Sequence, residues 1–532
     1  MYIELHTSSA FSFLDGASLP EALIDRAVAL GYPALALLDR DGVYGAPRFH
    51  LAAKRAGIKA IVGAELTMTS GAQTADPGAR VFTLPVLIET QEGYRNLCRL
   101  VTTMKLRAAK GQGALTFDDL DGHAGGLIAL AGRTAINGRR FGVGGLVDRI
   151  VGTFGAAQVY VELQRHLLRE QEWDNQVLQE LATAFHLPVI ATNGVRFAEP
   201  VDRPLYDVLT CIRHKTTLAL AGRRLTCNAE RYLKSPEAMA RLFADMPAAV
   251  AATGELADRI GYTMADLGYR FPEYQVPAGE TMGSFLRKLT QAGARERYRP
   301  YDDRARRQIE RELDLIDKLD LAGYFLIVWD IVNYCRQHDI LVQGRGSAAN
   351  SAVCYSLGIT AVDPIGMELL FERFLSEERG EWPDIDLDLP SGARREQVIQ
   401  HMYQKYGTHG GAGGPRIAMT ANVITYRGRS AAREVGKALS LEPVQIDRLA
   451  KVMNHFEWID PNDSLDRHLR EVGIDAQNPT VRLFGQLWQR IQDLPRHLGQ
   501  HSGGMVISQG RLDDVVPLEN ASMPDRVVIQ WD

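Results

Sequence analysis

Residues 383–389 read Pro383-Asp384-Ile385-Asp386-Leu387-Asp388-Leu389. Acidic and apolar residues alternate, which is the period of a strand with one wet and one buried face. Asp384, Asp386 and Asp388 fall on one face, and Ile385, Leu387 and Leu389 fall on the other. Three like charges in a row oppose one another unless cations compensate them. Carboxylates on adjacent same-face positions suit hard divalent metals such as Mg²⁺, and two of them can bridge a metal pair. An exposed edge strand with a polar face gives the same pattern, so the motif alone leaves both readings open.

The neighbouring sequence bears on that choice. Upstream stands Gly344-Arg345-Gly346-Ser347, followed by Ala348-Ala349-Asn350-Ser351. A glycine turn opening a helix offers backbone N–H groups to an anion, with Ser347 as the expected cap and Arg345 adding positive charge. The lysine and spacing of a Walker A loop are absent. A plain helix-capping turn is the simpler account of this piece by itself. Between the two motifs lie Phe371-Glu372-Arg373-Phe374 and Glu377-Glu378-Arg379. Arg373 and Arg379 either grip phosphate bidentately or pair with the acids beside them. An anion-binding turn, two arginines and an acidic strand together suit the gripping of a triphosphate and the placing of metals on its α-phosphate.

Farther out, the chain opens with short apolar strands alternating with helices. A helix follows Ser18, with Glu21 as its capping-box partner and Leu23, Ile24 and Ala27 on its inner side. Strands are expected at 34–38, 61–62, 81–88, 126–131, 159–163 and 188–191, an α/β layer or barrel. Proline-rich YRFPEYQVPAGET, 269–281, marks a boundary near residue 270. Helical segments are expected over 282–319 and 324–335, and 416–495 reads as helical and charged. The last part alternates short strands and turns. Within 416–437, Arg429, Arg433 and Lys437 share one face of a helix, which either tracks a phosphate backbone or is a solvated surface.

The bulk numbers set limits. The chain has 532 residues, 45% hydrophobic and 23% charged, enough for several domains. A net charge of −5 argues against a basic surface coating nucleic acid, though not against a local channel. No run of eighteen apolar residues suggests a membrane span, and the start MYIELHTSSAFSF lacks a secretory leader. The five cysteines form no close pair and read as free thiols of a reducing compartment. A cytoplasmic location is the expectation.

The stretch LVQGRGSAANSAVCYSLGITAVDPIGMELLFERFLSEERGEWPDIDLDLP closely resembles the palm of bacterial C-family DNA polymerases, the DNA polymerase III alpha-subunit family. ELHTSSAFSFLDGAS resembles that family's N-terminal PHP (polymerase and histidinol phosphatase) domain, and HSGGMVISQGRLDDVVPLENASMPDRVVIQWD resembles the return of the chain to the palm. The wording of the two ends is most like the error-prone, damage-inducible branch. The resemblance implies an α/β multidomain chain. Its parts are a PHP-type (β/α) barrel-like domain over 1–270, a palm over 271–415, a mostly helical thumb over 416–495 and a return to the palm over 496–532. It also implies template-directed nucleotide transfer to a primer 3′-hydroxyl with two Mg²⁺ ions. Asp384 and Asp386 match the catalytic metal-binding pair, Gly346 and Ser347 the triphosphate-binding turn, and Arg373 and Arg379 the arginines near the incoming nucleotide; Arg345, by its charge beside that turn, is counted with the nucleotide-binding residues. The family's third catalytic acid is expected beyond a segment like VVIQWD, so the chain reads as an N-terminal portion. Primer–template DNA, deoxynucleoside triphosphates, the sliding clamp and damage-tolerance accessory proteins are the implied partners, with no membrane.

In the PHP-type domain the family's metal ligands are only partly matched. His6, Asp39, Glu65 and His166 are retained. Ser8, Arg40, Gly194 and Arg196 stand where a histidine, a histidine, an aspartate and a histidine are expected. Arginine is not a metal ligand and repels a cation. The expectation is a degenerate, mainly structural domain with room for one residual weak divalent-metal site. A metal-dependent phosphoesterase and a non-catalytic polymerase remnant are the alternatives.

Overall fold

Strand β1 (Ala34–Arg40) starts a six-stranded sheet that continues through β2 (Lys59–Thr69), β3 (Val81–Ile88), β4 (Leu127–Ala131), β5 (Val159–Gln164) and β6 (Val189–Thr192), in that order. The structure is a computed structural model, and it describes residues 1–69, 81–136, 144–376, 383–407, 414–453 and 478–531. Pairing is parallel from β1 to β2 and from β4 to β6, and antiparallel on both sides of β3. Alternate residues feed two cores. Ala34, Ala36 and Leu38 join Ile61, Ile128 and Ile190 on one face, while Leu35 and Leu37 join Val62, Val86 and the flanking helices on the other. The strands are apolar on both faces, as sheets covered on both sides are.

The extended N-terminus bridges the two edges of this sheet. Ala36 N–H donates to Glu4 O (3.0 Å) and Leu38 N–H to Thr7 O (2.7 Å) on the β1 side. On the β6 side Val195 N–H donates to His6 O (2.8 Å) and Ser8 N–H to Val195 O (2.9 Å). The curl leaves fewer unpaired strand edges and brings His6 beside residues from β2 and β5.

The chain divides into two units. Unit 1 comprises Met1–Leu267, Ala418–Gly504 and Asp513–Asp532, and unit 2 comprises Gly268–Ile417 and Met505–Leu512. The final stretch 496–532 is thus divided between them. A four-stranded sheet, most of whose residues belong to unit 1, is ordered β10 (Pro495–Ile507), β9 (Ile417–Thr425), β12 (Val527–Ile529), β11 (Leu518–Asn520). Three helices, Gly428–Ala438, Pro443–Met453 and Pro479–Ile491, share a core with the helix Arg203–Arg213: Leu205, Val208 and Leu209 pack with Ala431, Val435, Phe484 and Leu487.

Two local expectations change. Ser18 does not cap the first helix. That helix is Pro20–Ala29 with Leu19 at its N-cap, and Ser18 Oγ instead accepts from Ala198 N–H at 2.9 Å. The region from 416 begins with strand β9, not a helix. Its β-branched IAMTANVIT run pairs in a sheet whose partners lie far along the chain, which local periodicity does not reveal.

In unit 2 the helices Met282–Arg297, Asp303–Lys318 and Ala322–Gln337 build a core from Leu286, Ile309, Leu313, Phe325 and Leu326. Ile385 and Leu387 pack against that core from outside. Among the described residues no helix is long and apolar enough to cross a membrane.

Candidate active site on the acidic strand

Two motifs far apart in sequence become neighbours in a short antiparallel ribbon. Strand β7 (Gln343–Arg345) pairs with β8 (Asp386–Asp388) in the register Gln343 with Asp388, Gly344 with Leu387 and Arg345 with Asp386. Asp384, Asp386 and Asp388 are exposed and Ile385, Leu387 and Leu389 are half-buried, the alternation read from the sequence. Asp384 precedes the paired residues; the N–H of Ile385 that follows it donates to Tyr324 Oη at 3.0 Å, tying the strand to the core helix.

The ribbon needs glycine at two points. A Cβ on Gly344 would lie 2.6 Å from Ile359 O, because Gly344 N–H donates to that carbonyl at 2.7 Å. Gly346 has φ +69°, a left-handed conformation that glycine adopts without strain, and faces Asp386 Oδ2. The turn therefore brings bare backbone up to the acidic strand.

Arg345 engages that strand directly. Its Nε lies 2.9 Å from Asp388 Oδ1 and its Nη2 3.9 Å from Asp386 Oδ2. Asp384 joins no hydrogen bond or ion pair among the described residues. Asp388 thus holds the arginine, while Asp384 and Asp386 keep open oxygen faces. Two exposed carboxylates with free oxygens fit hard divalent ions whose remaining ligands are water and phosphate. Among the described residues there is no cluster of three or more His, Cys, Asp or Glu side chains gathered as a closed metal cage.

The anion site expected at the helix after the turn is already filled. Residues Gly346–Asn350 form a 3₁₀ helix, and the following α-helix is Ala352–Ser356, capped by Ser351 and not by Ser347. Buried Glu312 accepts from Ala352 N–H (3.0 Å), Val353 N–H (3.0 Å) and Ser351 Oγ (2.8 Å). A carboxylate at a helix start is what the unsatisfied N–H groups attract, so these N–H groups are already taken. Arg373 lies in the 3₁₀ turn Phe371–Arg373. Arg379 lies outside the described residues.

The retained PHP residues in unit 1 do not gather as ligands. Glu65 is 3% exposed and is held by two guanidinium groups. Arg196 Nη2 donates to its Oε2 at 2.9 Å, and Arg40 Nη2, its cross-strand neighbour, donates to Oε1 at 3.2 Å. Burial alone would raise the Glu65 pKa, but Arg196, His6 and Arg40 hold it well below the usual carboxylate range. His6 Nδ1–H donates to Glu162 Oε1 at 2.7 Å. Burial opposes a charge on this ring, yet Glu162 and Glu65 lift its pKa to about 9.

His166 is fully hydrogen-bonded as a neutral ring: Nε2–H donates to Asn193 O (2.7 Å) and Nδ1 accepts from Gln171 Nε2 (2.8 Å). Burial, then Arg231, push its pKa down to about 3. Asp39 turns into a cage of neutral donors, accepting from Ser9 N–H (2.8 Å), Ser9 Oγ (2.9 Å) and Ser12 Oγ (2.8 Å). The residues present do not fit a metal centre: two guanidinium groups already occupy the Glu65 carboxylate. Sequence reading missed Glu162 and Asp15. Their signal was a charge inside an otherwise apolar or buried stretch, which must find a partner. Asp15 pairs with Arg213 (2.6 Å) and Arg40 (3.7 Å).

On the helix Gly428–Ala438, Arg433 pairs with Asp447 (3.4 Å) and Lys437 with Glu434 (3.3 Å), while Arg429 is exposed without an acidic partner among the described residues.

Residues 284–532 match the family described as bacterial DNA polymerase III alpha NTPase domain, and residues 4–173 match the PHP domain. The chain thus carries a PHP domain followed by a bacterial DNA polymerase III alpha domain. Among curated relatives, the error-prone DNA polymerase of Mycobacterium bovis is 44% identical over 543 residues, covering 100% of this chain and 48% of the relative. The error-prone DNA polymerase of Alkalilimnicola ehrlichii is 42% identical, covering 100% of this chain and 49% of its own length. That of Bordetella parapertussis is 41% identical, with 100% and 50% covered. The chain spans about half the length of the curated relatives it matches.

Proposed function

We propose that this chain carries the nucleotide-handling centre of an error-prone, template-directed DNA polymerase that serves in damage tolerance and repair synthesis. One observation supports this above the others: the β7–β8 register sets the Gly346 turn directly against Asp386. The names of the relatives agree with it. In this reading residues 271–415 and the end of the chain form the palm, 416–495 the thumb and 1–270 a PHP domain kept for structure.

Asp384 and Asp386 would hold two Mg²⁺ ions, which would supply activation of the primer 3′-hydroxyl and charge neutralisation at the α-phosphate. The remaining work falls to the chain's own groups. The Gly346–Ser347 turn approaches the triphosphate with backbone, where a side chain at Gly346 would intrude. Arg345, parked on Asp388 at 2.9 Å, exchanges that exposed acid for a phosphate oxygen, a trade of one charge-assisted pair for a better one. Asp388 is thereby a positioning residue that keeps Arg345 beside the pair. Arg373 and Arg379 supply further phosphate contacts. Arg429, Arg433 and Lys437 track the duplex backbone, Arg429 first because no acid among the described residues competes for it. Sliding-clamp and accessory-protein partners belong to the same reading.

The phosphoesterase alternative is disfavoured by the guanidinium groups on Glu65. Primer extension by the polypeptide that carries this chain tests the proposal. Asp384→Asn and Asp386→Asn each reduce incorporation to background with folding unchanged, whereas Asp388→Asn weakens nucleotide affinity and leaves turnover measurable. Normal incorporation by either of the first two variants removes the assignment.

A further inference from the structure

A concavity in unit 2 is lined by none of the acidic-strand residues. Arg304, Arg307 and Arg311 form one wall and Pro364, Ile365 and Leu369 the other, around a space of about 270 Å³. The arginines share one face of the helix Asp303–Lys318. The opposite face, with Ile309, Leu313 and Ile316, is buried in the core. Core packing therefore explains the helix but not the arginines.

Their pairings leave charge to spare. Arg304 lies 3.5 Å from Glu368, and both side chains are largely exposed. Arg311 pairs with Glu372, again at the surface. Such solvated pairs are weak and exchange readily. Arg307 has no acidic partner among the described residues. Glu312 also borders the space, but its carboxylate is taken up by Ser351, Ala352, Val353 and Gln308. Arg306, one residue away, belongs elsewhere: it pairs with Asp303 and covers the Tyr301 ring at 5.2 Å.

The two walls call for different chemistry. Guanidinium forks match phosphate oxygens. An apolar wall has no use for a bare oxyanion but suits the face of a base. The volume is just under the lower end, about 300 Å³, of typical small-ligand sites. We propose that this concavity binds one nucleotide unit, its phosphate on Arg304, Arg307 and Arg311 and its base against Pro364, Ile365 and Leu369. The inference rests on the reading of the chain as a nucleotide-handling one and adds a subsite to it. Asn350 links the two places. It edges the concavity, ends the 3₁₀ helix that starts at Gly346, and donates through Nδ2 to Ser347 O at 2.9 Å. Occupancy at one end of that short helix bears on the turn at the other.

The nucleotide unit is either free or part of a DNA strand, and the test separates these. Binding of a labelled single-stranded oligonucleotide of about ten nucleotides is followed by anisotropy, and binding of dATP by calorimetry. Both are run in EDTA, so that Asp384 and Asp386 carry no metal. The unchanged chain is compared with Arg307→Glu and with Arg306→Glu, which alters net charge equally on the same exposed helix. The expected result is a loss of about tenfold or more for Arg307→Glu, with a salt slope reduced by about one where the oligonucleotide is the ligand, and a change within about twofold for Arg306→Glu. Selective loss of oligonucleotide binding assigns a strand nucleotide; selective loss of dATP binding assigns a free one. Equal effects of the two variants, no effect of either, or no binding by the unchanged chain overturns the proposal. Asp384→Asn leaves this metal-free binding intact, so failure of the catalytic reading and failure of the subsite are told apart.

Discussion

Replacing Arg196 by Met removes the guanidinium that stands closest to Glu65 while keeping a long apolar stem. The pair is buried at both ends, with side chains 8% and 4% exposed, and its N–O distance is 2.9 Å. At an effective dielectric near 20, two unit charges at that distance attract by about 6 kcal/mol. Part of this survives in the variant, because Arg40 still reaches Glu65 at 3.2 Å and His6 at 3.7 Å. The Ser8 hydroxyl, which receives an Arg196 N–H at 2.6 Å, also loses a partner. The net cost expected for breaking a buried pair from one side is about 3–5 kcal/mol. For a large unit this lowers the melting temperature by on the order of 5–10 °C. Urea and thermal unfolding followed by circular dichroism measure it. The double variant Arg196→Met/Glu65→Gln removes the stranded charge and recovers part of the loss, giving a coupling energy above about 1 kcal/mol. A single-variant loss below about 1 kcal/mol, or strict additivity in the cycle, refutes the reading that guanidinium groups replaced metal ions in this domain.

Two further outcomes follow from the same geometry. His6 has a folded pKa of about 9, above its usual 6.5, so its contribution to stability is complete below 6.5 and is lost as the pH rises through 9. Glu4, raised by burial to about 7, acts with the same sign at lower pH, and His166, lowered to about 3, acts with the opposite sign below 6.5. Stability of unit 1 therefore declines between pH 7 and pH 9, by at most about 1.4 kcal/mol per pH unit for each group, and His6→Gln flattens that limb; a limb unchanged in the variant rejects a protonated His6. Gly344→Ala sets a Cβ 2.6 Å from Ile359 O, so β7 must shift; a loss of about 1–3 kcal/mol in unit 2 is expected with nucleotide affinity falling alongside, and an Ala variant of wild-type stability and affinity contradicts the close approach.

Much of the fold was legible where the signal is local. The strand Val81–Ile88 was bounded correctly because an apolar run sits between polar stretches, and the alternation of Asp384 to Leu389 became the alternation of exposure. The pairing of β7 with β8 was not in the local pattern, yet it puts Arg345 on Asp388 and Asp386. What stayed hidden depends on distant partners. Ser18 looked like a cap, but Ala198 N–H claimed its hydroxyl. The helix start at Ala352 looked open to an anion, but Glu312, about forty residues earlier in a charged helix, fills it. The retained PHP residues suggested a weakened metal site. Only the folded geometry brings Arg196 and Arg40 onto Glu65, and Glu162 onto His6. In each case a buried polar group had to be satisfied, and sequence gave the need without the partner.

The central claim is that Asp384 and Asp386 are a metal-and-nucleotide pair beside the Gly346 turn. Manganese binding, followed by the loss of the free-ion paramagnetic signal, tests it on this chain with and without a deoxynucleoside triphosphate. The account predicts binding that strengthens with the nucleotide, disappears in Asp384→Asn/Asp386→Asn and persists in Glu65→Gln. Binding unaffected by the double substitution, or abolished by Glu65→Gln, contradicts it.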